Sequence, residues 1–242
     1  MSDKALPNYQ NACDNNTNGW NTELKPKLAI GGFCGATASD TVTWKLTGGD
    51  TLTISGKGKM ADYGNVNDIP WVNYRDNITE IVIEEGVESI GDFAFQDCSG
   101  LTSVTFAENS QLKIIGARAF DGCTNLTSIT IPTSVTSIGS YAFYECTGLT
   151  SVTFVENSQL ESIGANAFDG CTNLTSITIP TSVTSIGSYA FKECIGLTSV
   201  TIPEKVTSIE GGVFYDCTGL TSVTISEGVT KLVIACFLGQ QR

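Results

Sequence analysis

The stretch LTSITIPTSVTSIGSYAFYECTG, residues 126–148, decides how this chain folds. Side chains of an extended backbone alternate between two faces. Leu126, Ile129 and Ile131 therefore point inward from one strand, and Thr130 between two isoleucines points to solvent. Pro132 has no N–H to give to a ladder, so it marks the end of that strand and the corner after it. A second extended run carries Val135 and Ile138 inward and stops at Gly139. Ala142, Phe143 and Cys146 then recur at one- and three-residue spacing, which predicts a short helical turn with one buried face.

The same pattern fills most of the chain. From Ile78 onward it divides in frame into seven units, 78–100, 101–125, 126–148, 149–173, 174–196, 197–219 and 220–242. Two of them are 25 residues long and replace the short turn with Ala107-Glu108-Asn109-Ser110-Gln111 and Val155-Glu156-Asn157-Ser158-Gln159; the other five have 23 residues. One unit cannot bury its apolar side alone, but a stack of them completes a continuous core. The fold predicted is a β-rich solenoid of seven coils with short helical or 3-10 turns. Phe95, Phe120, Phe143, Phe168, Phe191, Phe214 and Phe237 are expected to form one internal column. Ile90, Ile115, Ile138, Ile163, Ile186, Ile209 and Leu232 are expected to form another. Blocks 101–148 and 149–196 differ at six of 48 positions, as after duplication of a two-coil unit: Ala107/Val155, Lys113/Glu161, Ile114/Ser162, Arg118/Asn166, Tyr144/Lys192 and Thr147/Ile195.

Ahead of the repeats, Val42, Trp44 and Leu46 alternate, as do Leu52 and Ile54 after Thr47-Gly48-Gly49-Asp50. That is a β-hairpin signal. Residues 28–77 are read as an N-terminal cap whose aromatic side shields the first coil. Trp71 and Tyr74 admit a second reading, as a platform for stacking sugars. Residues 1–27 are polar and rich in Asn, as in a linker or tail.

Composition narrows the function. The chain has a net charge of −12, and the acid is concentrated in the repeats: residues 1–77 hold 7 basic and 8 acidic side chains, residues 78–242 hold 6 and 17. Such a surface repels phosphate backbones and anionic lipids, so nucleic acid is not an expected partner; the plainer role of the acid is solubility. No apolar run approaches the ~18–20 residues that span a bilayer. The start Met1-Ser2-Asp3-Lys4 lacks a secretory apolar stretch, which leaves open a cytoplasmic chain or one beginning after a removed signal. The absence of histidine removes the commonest general base and most zinc sites.

Six of the nine cysteines, Cys98, Cys123, Cys146, Cys171, Cys194 and Cys217, recur at the repeat interval. That spacing is unlike a metal-ligand pattern. They are expected to be buried reduced thiols acting as small apolar groups. Cys13 and Cys34 are the one pair considered for a disulfide, and Cys236 occupies the Ala position of its unit. Glu84, Glu85 and Glu88 are close enough to suggest acid/base work, but they fall in a turn where solvated acids suffice. No catalytic residue, metal or cofactor is assigned.

The motif at 126–146 and its near copies resemble the BspA-like leucine-rich repeats, a family typical of bacterial surface proteins. The resemblance covers 78–242. Residues 34–77, with Thr41-Val42-Thr43-Trp44, Leu52-Thr53-Ile54-Ser55-Gly56 and Pro70-Trp71, are similar to the segment preceding such repeats in secreted proteins of gut bacteria. It implies a secreted or cell-surface, non-catalytic protein used in adhesion or recognition of a protein or glycan on a host or neighbouring cell. The family motif contains no catalytic residue to carry over.

One strand face should present a Thr column, Thr105 to Thr224, beside a Ser column. It covers roughly 600 Å² at ~4.8 Å per coil, somewhat below the ~800 Å² of a standard interface side. Because its Thr and Ser hardly vary, recognition is placed at the long loops, the variable turns and the cap. Glu108, Asn109, Glu156, Asn157, Thr130, Thr178, Trp71 and Tyr74 form the candidate binding surface. Two alternatives stand beside this: a parallel β-helix acting on polysaccharides, for which only Arg118 and Lys113 interrupt the ladder, and an ice-binding solenoid using the Thr array. The apolar last unit suggests self-association or continuation of the chain.

Overall fold

Each unit becomes one turn of a coil because its inward residues are the apolar Leu, Ile, Val, Ala, Phe and Cys of the motif and its corners hold Pro or Gly. The computed structural model describes residues 29–233. The first strands of successive coils are β5 (Glu80–Ile83), β7 (Ser103–Phe106), β9 (Ser128–Ile131), β11 (Ser151–Phe154), β13 (Ser176–Ile177), β15 (Ser199–Ile202) and β17 (Ser222–Ile225). The second strands are β6 (Val87–Ile90), β8 (Ile114–Ile115), β10 (Ser137–Ile138), β12 (Ser162–Ile163), β14 (Ser185–Ile186), β16 (Ser208–Ile209) and β18 (Lys231–Leu232). All pairing between coils is parallel and in repeat register: Ser151 faces Ser128, Val152 faces Ile129 and Thr153 faces Thr130. Like residues therefore stack on like.

The expected columns are the core. Phe95, Phe120, Phe143, Phe168, Phe191 and Phe214 are fully buried, as are the aligned cysteines from Cys98 to Cys217. Neighbouring Phe rings lie 5.2–5.7 Å apart, and from Phe120 onward they are within 9° of parallel. Each thiol from Cys123 to Cys217 donates to the carbonyl of the Phe one coil back, as Cys146 does to Phe120 at 3.1 Å and Cys217 to Phe191 at 2.9 Å. The cysteines are thus donors as well as small apolar groups. The Ile column is buried through Ile209, but Leu232 departs from it at 49% exposed. No described coil stacks beyond it. Phe237, Cys236 and Cys13 lie outside the described residues, as do the tail at 1–27 and residues 234–242 of the last unit.

The third side of each coil is the segment Ala142–Cys146 and its equivalents. Its buried face is as expected, but its backbone is a run of tight turns. Ala142, Tyr144 and Cys146 donate N–H bonds back to Gly139, Tyr141 and Phe143, while Tyr141, Phe143 and Glu145 donate forward to Ala165, Ala167 and Asp169 of the next coil. Positive φ at Tyr141 (60°) and Glu145 (52°) breaks the helical path and frees alternate N–H groups for the neighbour. The solenoid is therefore laced on three sides.

The motif glycines permit this close stacking. A Cβ on Gly139 would lie 2.6 Å from the backbone of Gly116 and Ala117, where no rotamer change relieves it. Gly139→Ala is expected to cost about 1–3 kcal/mol in urea unfolding. Gly211→Ala, whose nearest neighbour atom is 3.7 Å away, should be close to neutral. Equal stability of the two variants would contradict the stacking argument.

The hairpin is present, with β2 (Thr43–Thr47) antiparallel to β3 (Thr51–Ser55) and β1 (Ile30–Phe33) added outside β2. Beyond the hairpin, β3 pairs in parallel with β5, and β4 (Gly58–Lys59) pairs with β6. Residues 51–77 thus form an irregular extra coil. Trp71 takes the Phe position in it, fully buried, stacked on Phe95 at 5.7 Å and donating Nε1–H to the Ala94 carbonyl at 3.0 Å.

Candidate binding surface

The first-strand ladder is closed by one rung at its end. The residue after the strand donates to the last strand carbonyl of the coil before: Ala107 to Ile83, Val155 to Ile131, Ser226 to Ile202. Pro132, Pro180 and Pro203 stand at that position in three coils and have no N–H to donate. At those three junctions the ladder opens. No pairing joins β7 to β9 or β13 to β15, and β11 meets β13 at two positions only. Coils that carry a long loop or Ser226 at this position stay fully paired to the coil before.

Each opening is a cleft. The one between β7 and β9, about 580 Å³, has Val104, Phe106, Pro132 and Val155 for its apolar part and Glu108 and Thr130 at its edge. A second, about 490 Å³, lies between β11 and β13 and is lined by Phe154, Val155, Asn157, Thr178 and Pro180. A third of similar size runs beside Thr178, Thr201, Pro203 and Glu204. Glu108 and Thr130, which belong to separate coils, line one cleft together, as Asn157 and Thr178 do another. Asn109 is exposed on the first long loop without lining a cleft, and Glu156 is exposed with its carbonyl accepting from Thr133 Oγ1 at 3.4 Å. Ser110 and Ser158 pin these loops by accepting from the N–H of buried Leu112 and Leu160.

Trp71 does not belong to the surface. Its ring is wholly inside the stack, so it cannot serve as a sugar platform, and Tyr74 is half-buried against the core. The invariant Thr before each first strand has a structural duty as well: Thr150 Oγ1 donates to the Thr127 carbonyl at 2.9 Å and Thr221 to Thr198 at 3.0 Å. Among the described residues no group of three or more His, Cys, Asp or Glu side chains is placed to hold a metal ion. No helix among them is long and apolar enough to cross a membrane. The proline rungs were readable in the sequence, since Pro132, Pro180 and Pro203 share one repeat position.

The repeat architecture matches a known family model, the BspA type leucine rich repeat region, in six copies over residues 72–160 and 156–241. The chain belongs to the BspA-type leucine-rich repeat family. Among solved structures it is similar to the leucine-rich repeat protein of T. pallidum, with 26% identity over 85% of this chain and 91% of that one and a TM-score of 0.61. A leucine-rich cell surface protein of Faecalibacterium prausnitzii matches at 22% identity over 86% of each chain, with a TM-score of 0.34. The pneumococcal vaccine antigen PcpA matches at 19% identity over 83% of this chain and 67% of its own, with a TM-score of 0.49. No curated protein is recognisably similar to the chain in sequence. A BspA-type solenoid is a scaffold for interaction, and its openings lie on the strand face beside the long loops.

Proposed function

We propose that this BspA-type solenoid is a non-catalytic binding module, secreted or on a cell surface, that engages a protein or glycan of a host or neighbouring cell through its strand face. The observation that carries this is the series of clefts opened by Pro132, Pro180 and Pro203. Each combines an apolar strip with Thr hydroxyls and an exposed loop side chain, the mixture of apolar contact and a few polar anchors that ligand sites use. An ice-binding face needs an unbroken flat Thr array, and the open junctions at β7/β9 and β13/β15 interrupt it.

The test is binding of the labelled protein to arrays of glycans and extracellular-matrix proteins. Adding positive charge at the cleft edge, Glu108→Lys with Thr130→Lys, should weaken at least one hit tenfold or more while the melting curve stays in place. Absence of any hit above background, or indifference of every hit to the substitutions, overturns the reading.

A further inference from the structure

The third side of the solenoid differs chemically from the strand face. Two positions per coil run along it, one before and one after the buried Phe. The first reads Phe93, Arg118, Tyr141, Asn166, Tyr189 and Gly212 along the stack; the second reads Gln96, Asp121, Tyr144, Asp169, Lys192 and Tyr215. Of the six differences between the duplicated blocks, Arg118/Asn166 and Tyr144/Lys192 fall on these positions and Thr147/Ile195 borders them. None falls on the Ser and Thr columns of the strand face. Three of the six differences thus lie on or beside the turn side, and the other three, Ala107/Val155, Lys113/Glu161 and Ile114/Ser162, lie after the first strand or at the second.

Its side chains form three groups along the stack. Tyr141 and Tyr144 meet edge to face at 5.5 Å, and the Arg118 guanidinium sits 4.2 Å over Tyr141 while donating to Asp121 at 2.7 Å. Tyr189 and Tyr215 form a second pair at 6.4 Å. Between the pairs, Asn166 donates to Asp169 at 2.8 Å, and Lys192 lies 3.5 Å from Asp169 and 2.8 Å from Glu193. The carboxylates of Asp121 and Asp169 are 92% and 96% buried, held by these donors, and a carboxylate retains further acceptor positions. The cations are already neutralised by neighbours, so the side offers little to a charged ligand. What it offers is two aromatic platforms two coils apart, about 10 Å at ~4.8 Å per coil, with amide and carboxylate groups between them.

We propose that this side binds a neutral, extended oligosaccharide lying along the solenoid axis. Pyranose rings have apolar C–H faces that stack on tyrosine rings, and hydroxyls that pair with preorganised carboxylates and amides. Tyrosine supplies such contact at low conformational cost. A stripe two residues wide is narrow against the ~800 Å² per side of a protein interface, and it matches a single glycan chain. The site is separate from the strand-face clefts, so either can fail without the other.

The test is isothermal titration calorimetry of the full chain with cellohexaose, xylohexaose, mannohexaose and laminarihexaose, with a heparin hexasaccharide as the charged comparison. At least one neutral hexasaccharide should bind, and its affinity should fall at least tenfold in Y141A/Y144A and in Y189A/Y215A. Y141F/Y144F, which keeps the rings, should stay within about threefold. Asn166→Arg, a residue the equivalent position already holds as Arg118, should block the gap between the platforms and abolish binding even if an alanine pair unfolds. The cleft variant Glu108→Lys should bind the sugar as the wild type does. Failure of all four neutral sugars to bind, undiminished binding by the Tyr variants, preference for heparin, or a protein ligand lost in the Tyr variants without any sugar binding would each overturn the proposal.

Discussion

Raising the pH above about 9 should unfold this protein steeply, with stability falling by about 8 kcal/mol per pH unit once all six ladder thiols ionise in the unfolded chain. Burial is the first cause: it pushes Cys98 and Cys217 up to about 12 and Cys123, Cys171 and Cys194 well above the ordinary thiol value of 9.0. The S–H donated to a Phe carbonyl adds to this geometrically, since a thiolate there would face an oxygen lone pair. The sign follows from the direction. A thiol raised in the folded state is neutral there, so below pH 9 both states hold the proton and nothing is lost. Above pH 9 only the unfolded chain releases it, and stability declines until the buried thiols of the folded state themselves ionise. Urea midpoints between pH 7.5 and 10.5 measure the slope. Each ladder cysteine replaced by alanine should remove about 1.4 kcal/mol per pH unit from it. A midpoint that does not move up to pH 10.5 would show that the thiols are not buried as described.

Phe143→Ala should cost about 3–5 kcal/mol, the usual price of emptying a large aromatic site. Phe143 is fully buried and touches rings on both sides, Phe120 at 5.3 Å and Phe168 at 5.2 Å. Because each coil meets only its neighbours, the cavity weakens two interfaces in the middle of the stack. The expected result is separation of the unfolding transition into two. Fluorescence of Trp44 and Trp71, both at the N-terminal end, should then melt apart from far-UV circular dichroism of the whole chain. A single coincident transition, shifted by less than about 1 kcal/mol, is incompatible with this coupling.

The repeat was legible because its periodicity is strict. Alternation at Ile129, Thr130 and Ile131, the stop at Pro132 and the recurrence of Phe and Cys led to the coil boundaries, the inward columns and the exposed Thr column. Trp71 was less legible: its spacing to Phe95 is 24 residues, but the segment around it lacks the Leu-Thr-Ser and Ser-Ile-Gly motifs. Its place in the column appears only once β3 and β4 are paired with the coil that follows. Leu232 occupies the Ile position and was read as buried, although burial needs a coil on the far side. Of the candidate surface, Glu108, Thr130, Asn157 and Thr178 lie on clefts, while Trp71 takes the capping place and not the sugar-platform one, two readings that an aromatic residue in an irregular segment leaves open because it looks the same whether it faces a ligand or a core.

By itself the sequence determined the coil, its length and which residues face inward, because these depend on local periodicity and on the need of each unit for a neighbour. Only the tertiary structure decided that the proline rungs open clefts between coils, which side gathers the tyrosines and how the thiols are held. Those features are relations between residues 23 to 28 positions apart, such as Cys123 and Phe95 or Tyr189 and Tyr215. They come into being when coils stack, and a single unit read alone contains no trace of them.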